Sequence, residues 1–325
     1  MGQIGGFMKP YALFFATNCR FLFALAVLLL SLKDKSPKVL TKADILVYHQ
    51  GLTKADQDFL NRILPCQFTE YKFAVQTDFE NINFKHFTQL TFARYEIFDL
   101  LEKYEKVLYM DVDMMVGGEL LSVFENYAKQ GGVAMCKDTQ KGLTLITKNF
   151  KEPIPQYDMT VPCYNAGMTL FARPLNNREN LRMWCYHKTA EWLENLVCPD
   201  QGVVNIMLQE FHIPVDVLPD VCNCLPSNPK YLDKTRRDVL VYHCAGGGVR
   251  FWTYTWNGPW QRYYKQYLAM GGEPHTDKEH AWLKLIKKYN LQRFAFFDRS
   301  PDPQMHPHRF LKYLLTYPFK YGLRA

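Results

Sequence analysis

The N-terminal hydrophobic stretch, Phe21 to Leu32, falls short of the roughly 20 apolar residues that a bilayer span requires. No Gly-x-Gly-x-x-Gly fingerprint and no Walker loop follows any strand-like segment, which disfavours dinucleotide or ATP binding of those kinds. The nine cysteines are odd in number and follow no repeating frame. A secreted disulfide scaffold is thereby disfavoured and a reducing compartment favoured. No basic stripe with interleaved aromatics lies near the acidic residues, as nucleic-acid binding would need.

What is present is a chain of 325 residues, 48% apolar and 15% aromatic, too hydrophobic to be disordered and long enough to bury a large core. Its formal charge of +7 suits an anionic ligand, a nucleic acid or an acidic membrane surface without separating them. Phe21 to Leu32 resembles a signal-peptide core or a membrane anchor, but Tyr11 to Thr17 ahead of it reads as a strand and Asn18 as a cap. A buried first strand followed by a buried first helix is the preferred reading, with a membrane segment as the alternative.

The chain then alternates. Lys42 to Tyr48 is strand-like, Leu52 to Ile63 has helical spacing opened by Thr53, and Phe87 to Leu101 carries an apolar stripe through Leu90, Ala93, Ile97 and Leu101. Further strands are expected at Lys106 to Val116, Gly132 to Cys136, Met168 to Ala172 and Val239 to His243, and a helix over Gly202 to Gln209. Strands separated by such helices predict an α/β fold with a mostly parallel sheet covered on both faces. Ligands of such sheets sit beyond the carboxyl ends of strands, which puts Asn18 and the segment after Met110 on one edge.

Asp111 and Asp113 interrupt an apolar run and, in an alternating strand, fall on one face. Two unpaired carboxylates are expensive to bury, so they either share a divalent cation or form an Asp-rich turn after a core strand. Three glycines, Gly246 to Gly248, followed by Arg250 suit an anion.

The ordered set Phe15-Ala16-Thr17-Asn18, Arg94, Asp111-Val112-Asp113, Tyr164-Asn165-Ala166-Gly167, Pro199-Asp200-Gln201 and His243-x-x-Gly246 resembles the retaining glycosyltransferases of family 8, relatives of glycogenin and of bacterial lipooligosaccharide galactosyltransferases. The similarity covers roughly residues 11 to 255. It implies a GT-A fold, a single Rossmann-like domain with a mostly parallel mixed sheet over residues 1–255, followed by a helical, basic and aromatic extension over 256–325. It implies a UDP-galactose or UDP-glucose donor and Mn2+ as cofactor, with Mg2+ as the alternative ion. No nucleic acid is expected as partner.

Carried over by that resemblance, Asp111, Asp113 and His243 are the metal ligands. Donor contacts fall to Ala16, Asn18, Phe21, Arg94, Asp111, Val112, Asn165, Ala166, Gly167, Asp200, Gly246 and Arg250. Asp200 and Gln201 are the catalytic pair, Asp200 on sugar hydroxyls and Gln201 near the anomeric carbon. Phe21 stands where the family has a Tyr that stacks on uracil, and Asn18 where it usually has an Asp. The glycine loop departs from the family's Lys followed by Pro-Trp: Val249 falls at the Lys position by direct count, and Arg250 is favoured because Val cannot donate to an anion. Each residue has a plainer reading. Asn18 caps a turn, Phe21 is a core aromatic, Arg94 is a surface residue paired with Glu96 or Asp99, His243 is a hydrogen-bonded core residue, and Asp200 or Gln201 caps a helix.

The expected reaction is retaining transfer of a hexose to an oligosaccharide, lipooligosaccharide or other glycan acceptor, in cell-surface polysaccharide or lipopolysaccharide synthesis. Residues 306 to 324 are basic and aromatic without an acid, and similar tails occur in relatives that build lipid-linked glycans. This places the protein in the cytoplasm, peripheral on the inner face of the membrane through an anionic lipid surface. The rival readings are a catalytically silent carbohydrate-binding or scaffold protein on the same fold, a metal-dependent nucleic-acid enzyme, and a weaker zinc site at Cys222 and Cys224.

Overall fold

The structure, a computed structural model, describes residues 9–75, 88–138, 143–175, 180–225, 238–245, 250–252 and 258–275. Gly246 to Gly248 and the basic tail lie outside the described residues.

Seven strands form the main sheet, in the order β3-β2-β1-β4-β7-β6-β8. They are β1 (Tyr11–Asn18), β2 (Ala43–Gln50), β3 (Gln67–Glu70), β4 (Lys106–Met110), β6 (Gly132–Lys137), β7 (Tyr164–Ala172) and β8 (Val215–Val217). β1 pairs parallel with β2 and β4, β2 with β3, and β6 with β8, while β7 runs antiparallel between β4 and β6. A small second sheet pairs β5 (Met114–Val116) antiparallel with β9 (Val241–His243). The mostly parallel α/β sheet expected from the alternation is therefore present, and antiparallel β7 makes it mixed, as the family resemblance implies.

Side-chain alternation divides the core in two. Leu13 and Phe15 of β1, Leu108 and Met110 of β4 and Leu170 of β7 face one layer; Ala12, Phe14, Val107, Tyr109 and Phe171 face the other. The first layer holds α1 (Leu22–Lys35), α2 (Pro37–Lys42) and α3 (Lys54–Asn61). α1 is apolar around its whole circumference, because the main sheet, β5 and α9 (Gly258–Ala269) enclose it. Its buried Ser31 hydroxyl donates to Leu28 O and accepts from Val116 N–H, so the one polar side chain among its buried residues is satisfied. At 14 residues it is too short to span a membrane, and no described helix is long and apolar enough to do so. α9, in the expected extension, packs its buried Trp260, Tyr263 and Tyr267 into this layer, and Arg262 and Tyr263 both bond Asp34 at 2.6 Å.

The second layer holds a 3-10 segment over Gln89–Glu96, α4 (Ile97–Leu100), α7 (Leu181–Glu191) and α8 (Pro199–Glu210). α5 (Leu121–Asn126) and α6 (Leu145–Asn149) are the remaining α-helices among the described residues. The single helix expected over Phe87 to Leu101 is thus mostly 3-10, and its buried Arg94 is drawn inward. A second correction concerns β7. It begins at Tyr164, not after Gly167, and between Met135↔Thr169 and Cys136↔Asn165 its register against β6 shifts. That bulge turns Asn165, Ala166 and Gly167 toward the end of β4.

Candidate active site

Asp111 follows β4 directly, and Gly167 O accepts its N–H at 2.9 Å. Tyr109, two residues earlier, lies on the second-layer face, and its hydroxyl donates to Asp111 Oδ1 at 2.8 Å. β5 then pairs Met114 opposite His243, and Cys244 N–H donates to Asp113 O at 3.0 Å. The pairing of two short strands thereby carries His243 from 130 residues downstream to the carboxylate pair.

His243 Nε2 lies 3.5 Å from Asp111 Oδ2 and 3.3 Å from Asp113 Oδ1. One ligand atom from each residue falls within 4.8 Å of the others. His243 is only 2% exposed, and its Nε2 is buried without a hydrogen-bond partner. An orphaned imidazole nitrogen facing two carboxylate oxygens fits a divalent ion that accepts mixed nitrogen and oxygen ligands. The second oxygen of each carboxylate is occupied elsewhere. Asp111 Oδ1 meets Tyr109 and, at 3.3 Å, Arg94 Nη2; Asp113 Oδ2 is paired with Arg250. Gly167 keeps the space open, since a Cβ there would stand 2.8 Å from Asp111 Oδ2 and 2.9 Å from His243 Nδ1.

The electrostatics separate the two acids. Burial pushes Asp111 up, against the pull of Arg94 and His243. Burial also raises Asp113, but Arg250 foremost and then His243 hold it below the ordinary carboxylate range.

Arg94 is 3% exposed and is held on all sides, which overturns its surface pairing with Glu96 or Asp99; Arg182 takes both of those acids. Arg94 donates to Thr91 O at 3.0 Å, Ala166 O at 2.6 Å and the Tyr109 hydroxyl at 3.0 Å, and pairs with Asp200 at 2.8 Å. Its guanidinium stacks 4.0 Å over the Tyr109 ring. Burial opposes its charge, but Asp200, Tyr109 and Asp111 outweigh that and raise its pKa.

Asp200 and Gln201 occupy the first turn of α8, but neither caps it. Asp200 turns to Arg94. Gln201 accepts Ala166 N–H at 3.2 Å through Oε1 and donates to Asn149 Oδ1 at 3.0 Å through Nε2. Asn165 Oδ1 accepts Gly167 N–H at 3.0 Å and Asn223 Nδ2 at 2.7 Å. Asn18 does cap the following 3-10 turn, accepting Phe21 N–H at 3.3 Å. Phe21 is half-buried beside Trp252, 6.1 Å between ring centroids, and helps line a cavity of about 510 Å³ with Arg20, Phe59, Arg62 and Tyr267. None of the carboxylate cluster lines that cavity. Ala16 and Val112 are half-buried, Ala16 near the end of β1 and Val112 between the two acids. Arg250 donates to Cys244 O at 2.9 Å as well as to Asp113. Gly246 lies outside the described residues.

Sequence reasoning missed Tyr109 and Asn223. Tyr109 carried a signal, standing two residues before Asp111 on the same strand face. Asn223 carried none, because only tertiary pairing brings it to His243. Among the described residues Cys222 and Cys224 belong to no metal-compatible cluster.

Solved structures with this fold include an active-site mutant of LgtC, at 18% identity and a TM-score of 0.62, covering 81% of this chain and 97% of that one. The galactosyltransferase LgtC in complex with donor and acceptor sugar analogues matches at 17% identity and 0.59 over the same shares. GlyE of Streptococcus pneumoniae matches at 17% identity and 0.54, covering 83% of this chain and 66% of that one. No curated protein matches the chain. The model of glycosyl transferase family 8 matches residues 12–255, three quarters of the length and every described strand but for the first residue of β1, and the chain belongs to that family.

Proposed function

We propose that the protein is a metal-dependent retaining hexosyltransferase that moves galactose or glucose from a UDP-sugar to a glycan or lipid-linked acceptor. The convergence of Asp111 Oδ2, Asp113 Oδ1 and the orphaned His243 Nε2 carries this reading. These three would hold Mn2+ or Mg2+, which when bound supplies charge neutralisation for the donor diphosphate.

The remaining residues bind and orient. Arg94, fixed by Asp200 and Tyr109, keeps a buried positive charge beside the sugar-phosphate position. Arg250 reaches the diphosphate on leaving Asp113, and Asn18 and Phe21 receive the uridine. Asp200 and Asn165 line the sugar pocket with the backbone of Ala166 and Gly167. Gln201 is a neutral amide held at both ends, which supports positioning at the anomeric carbon over nucleophilic attack. Retention then follows same-face attack through an oxocarbenium-like state, with leaving UDP oxygen accepting the acceptor's proton. A kinetically competent covalent adduct on Gln201 or Asp200 would exclude that route.

Hydrolysis of UDP-sugars by the purified protein, screened with Mn2+ and with EDTA and followed by acceptor profiling, tests the reading. Turnover restored by Mn2+ and abolished by EDTA is expected. Metal-independent turnover overturns the role of the Asp pair, and binding of a UDP-sugar without turnover favours a silent carbohydrate-binding protein. The basic tail supports a peripheral location on an anionic membrane in lipopolysaccharide or other cell-surface glycan synthesis. Removal of residues 303–325 should lower binding to anionic liposomes; unchanged binding rejects that location.

A further inference from the structure

We propose that Asn223 and Asn165 are positioning residues that fix the tautomer of His243, so that the neutral imidazole carries its proton on Nδ1 and presents a bare Nε2 lone pair between Asp111 and Asp113. This rests on the metal reading of the site.

The direction of the relay is set by a group that cannot reverse. Gly167 N–H is a donor only, and it donates to Asn165 at 3.0 Å, so the Asn165 atom there is the carbonyl Oδ1. That same oxygen receives Asn223 at 2.7 Å, so Asn223 presents its Nδ2 to it. The other end of the Asn223 amide is then Oδ1, which lies 2.8 Å from His243 Nδ1. An acceptor at that distance requires Nδ1–H. The opposite arrangement needs both amides turned over, which would aim Asn165 Nδ2 at Gly167 N–H, donor against donor.

Burial makes the relay costly to break. Asn223 is 1% exposed, His243 2% and Asn165 7%, so water cannot substitute for a mismatched link. The segment is anchored on both strands of the backbone: Cys224 N–H donates to Val241 O at 2.8 Å and His243 N–H to Cys224 O at 3.0 Å, holding Asn223 beside the ring. Gly167 serves both ends, because its carbonyl accepts Asp111 N–H while its N–H starts the relay. A histidine whose Nε2 were protonated would direct a hydrogen into the space between the carboxylates. Metal-ligating histidines are oriented through the other ring nitrogen, and loss of such a partner costs about 10–100-fold in metal affinity.

The test uses the full chain with labelled histidine. In the metal-free protein, long-range nitrogen–proton NMR should show a proton on His243 Nδ1, as the Asn223 acceptor requires; a ring with a bare Nδ1 and its only proton on Nε2 overturns the proposal. Titration with Mn2+ alone, followed by the loss of free-ion EPR signal, should give an affinity about tenfold or more weaker in Asn223→Leu and Asn165→Leu. Asn165→Asp keeps an acceptor for both donors and should bind Mn2+ at least as tightly as the wild type. Equal Mn2+ affinity in the folded leucine variants, or an Asn165→Asp as weak as Asn165→Leu, also overturns it. If the leucine variants do not fold, the wild-type tautomer and Asn165→Asp still decide. A wild type with the Nδ1–H tautomer that binds no metal fails the metal reading and leaves the relay standing.

Discussion

Gly167 stands against the His243 ring so closely that a single added methyl would collide with Cε1 and lie 2.9 Å from Nδ1. The same methyl would lie 2.8 Å from Asp111 Oδ2. Gly167→Ala must therefore displace either the ring or the carboxylate. Overpacking of this kind costs about 1–3 kcal/mol, which chemical denaturation would measure. The Mn2+ affinity and the proposed UDP-sugar turnover should fall together, by tenfold or more by the order of a lost orienting contact. Wild-type metal affinity in a folded Gly167→Ala would show that the ligands have room the geometry denies them.

Arg94 and Asp200 form an ion pair in which both side chains are almost wholly buried, 3% and 5% exposed. Removing one charge leaves the other uncompensated, so Arg94→Ala should destabilise the fold by about 3–5 kcal/mol. Arg94→Lys keeps the charge but cannot reach Thr91 O, Ala166 O, Tyr109 and Asp200 together. It should recover part of the stability and little of the turnover. Comparison of denaturation midpoints with kcat/KM for the two variants separates these effects.

Arg250 neutralises Asp113 from the side opposite His243. A cation entering between the ligands competes with it. Arg250→Ala should therefore raise the affinity for Mn2+ alone by about fivefold, on the order of 1 kcal/mol for a partly exposed pair. The KM for the UDP-sugar should rise at the same time. A variant in which metal and donor affinity both fall would make Arg250 a structural clamp instead of a displaceable one.

Glu119 ties α2 to the segment after β5. Its carboxylate accepts Ser36 Oγ at 2.8 Å and the N–H groups of Lys38, Val39 and Leu121 at 3.0, 3.1 and 3.2 Å. Burial opposes its ionisation, but the Ser36 and backbone donors prevail and hold its pKa below the ordinary glutamate value of 4.5. A depressed carboxylate contributes stability that is fully present above the unfolded value and is lost as pH falls through the folded one. Glu119→Gln should cost about 1–2 kcal/mol at neutral pH, and the gap should close as the pH drops below 4.5. A gap that persisted unchanged in acid would mean that the shape of the side chain matters and its charge does not.

Much of the fold was legible because period-two alternation survives in the strands that matter. β1 and β4 send successive residues to opposite layers, and the apolar circumference of α1 marks a helix enclosed on every side. The 3-10 course of Gln89–Glu96 was not legible, since an apolar stripe at Leu90 and Ala93 suits either helix and the pull of Asp200 on Arg94 is a tertiary force. The β7 bulge at Asn165 to Gly167 was equally hidden, being a mismatch of register with β6 that exists only once the strands pair.

By itself the sequence determined that two carboxylates emerge together from a buried strand, because Asp111 and Asp113 interrupt residues that must be inside. It also placed Asn18 on the same edge, since the carboxyl ends of the parallel strands β1 and β4 point the same way. Tertiary structure alone decided which oxygen of each acid is free. Tyr109 and Arg94 take Asp111 Oδ1, Arg250 takes Asp113 Oδ2, and β5–β9 pairing brings His243 to the oxygens that remain. Side-chain identity specifies what a residue can bond; only packing of distant segments, with its demand that buried polar groups be matched, specifies which bond each atom makes.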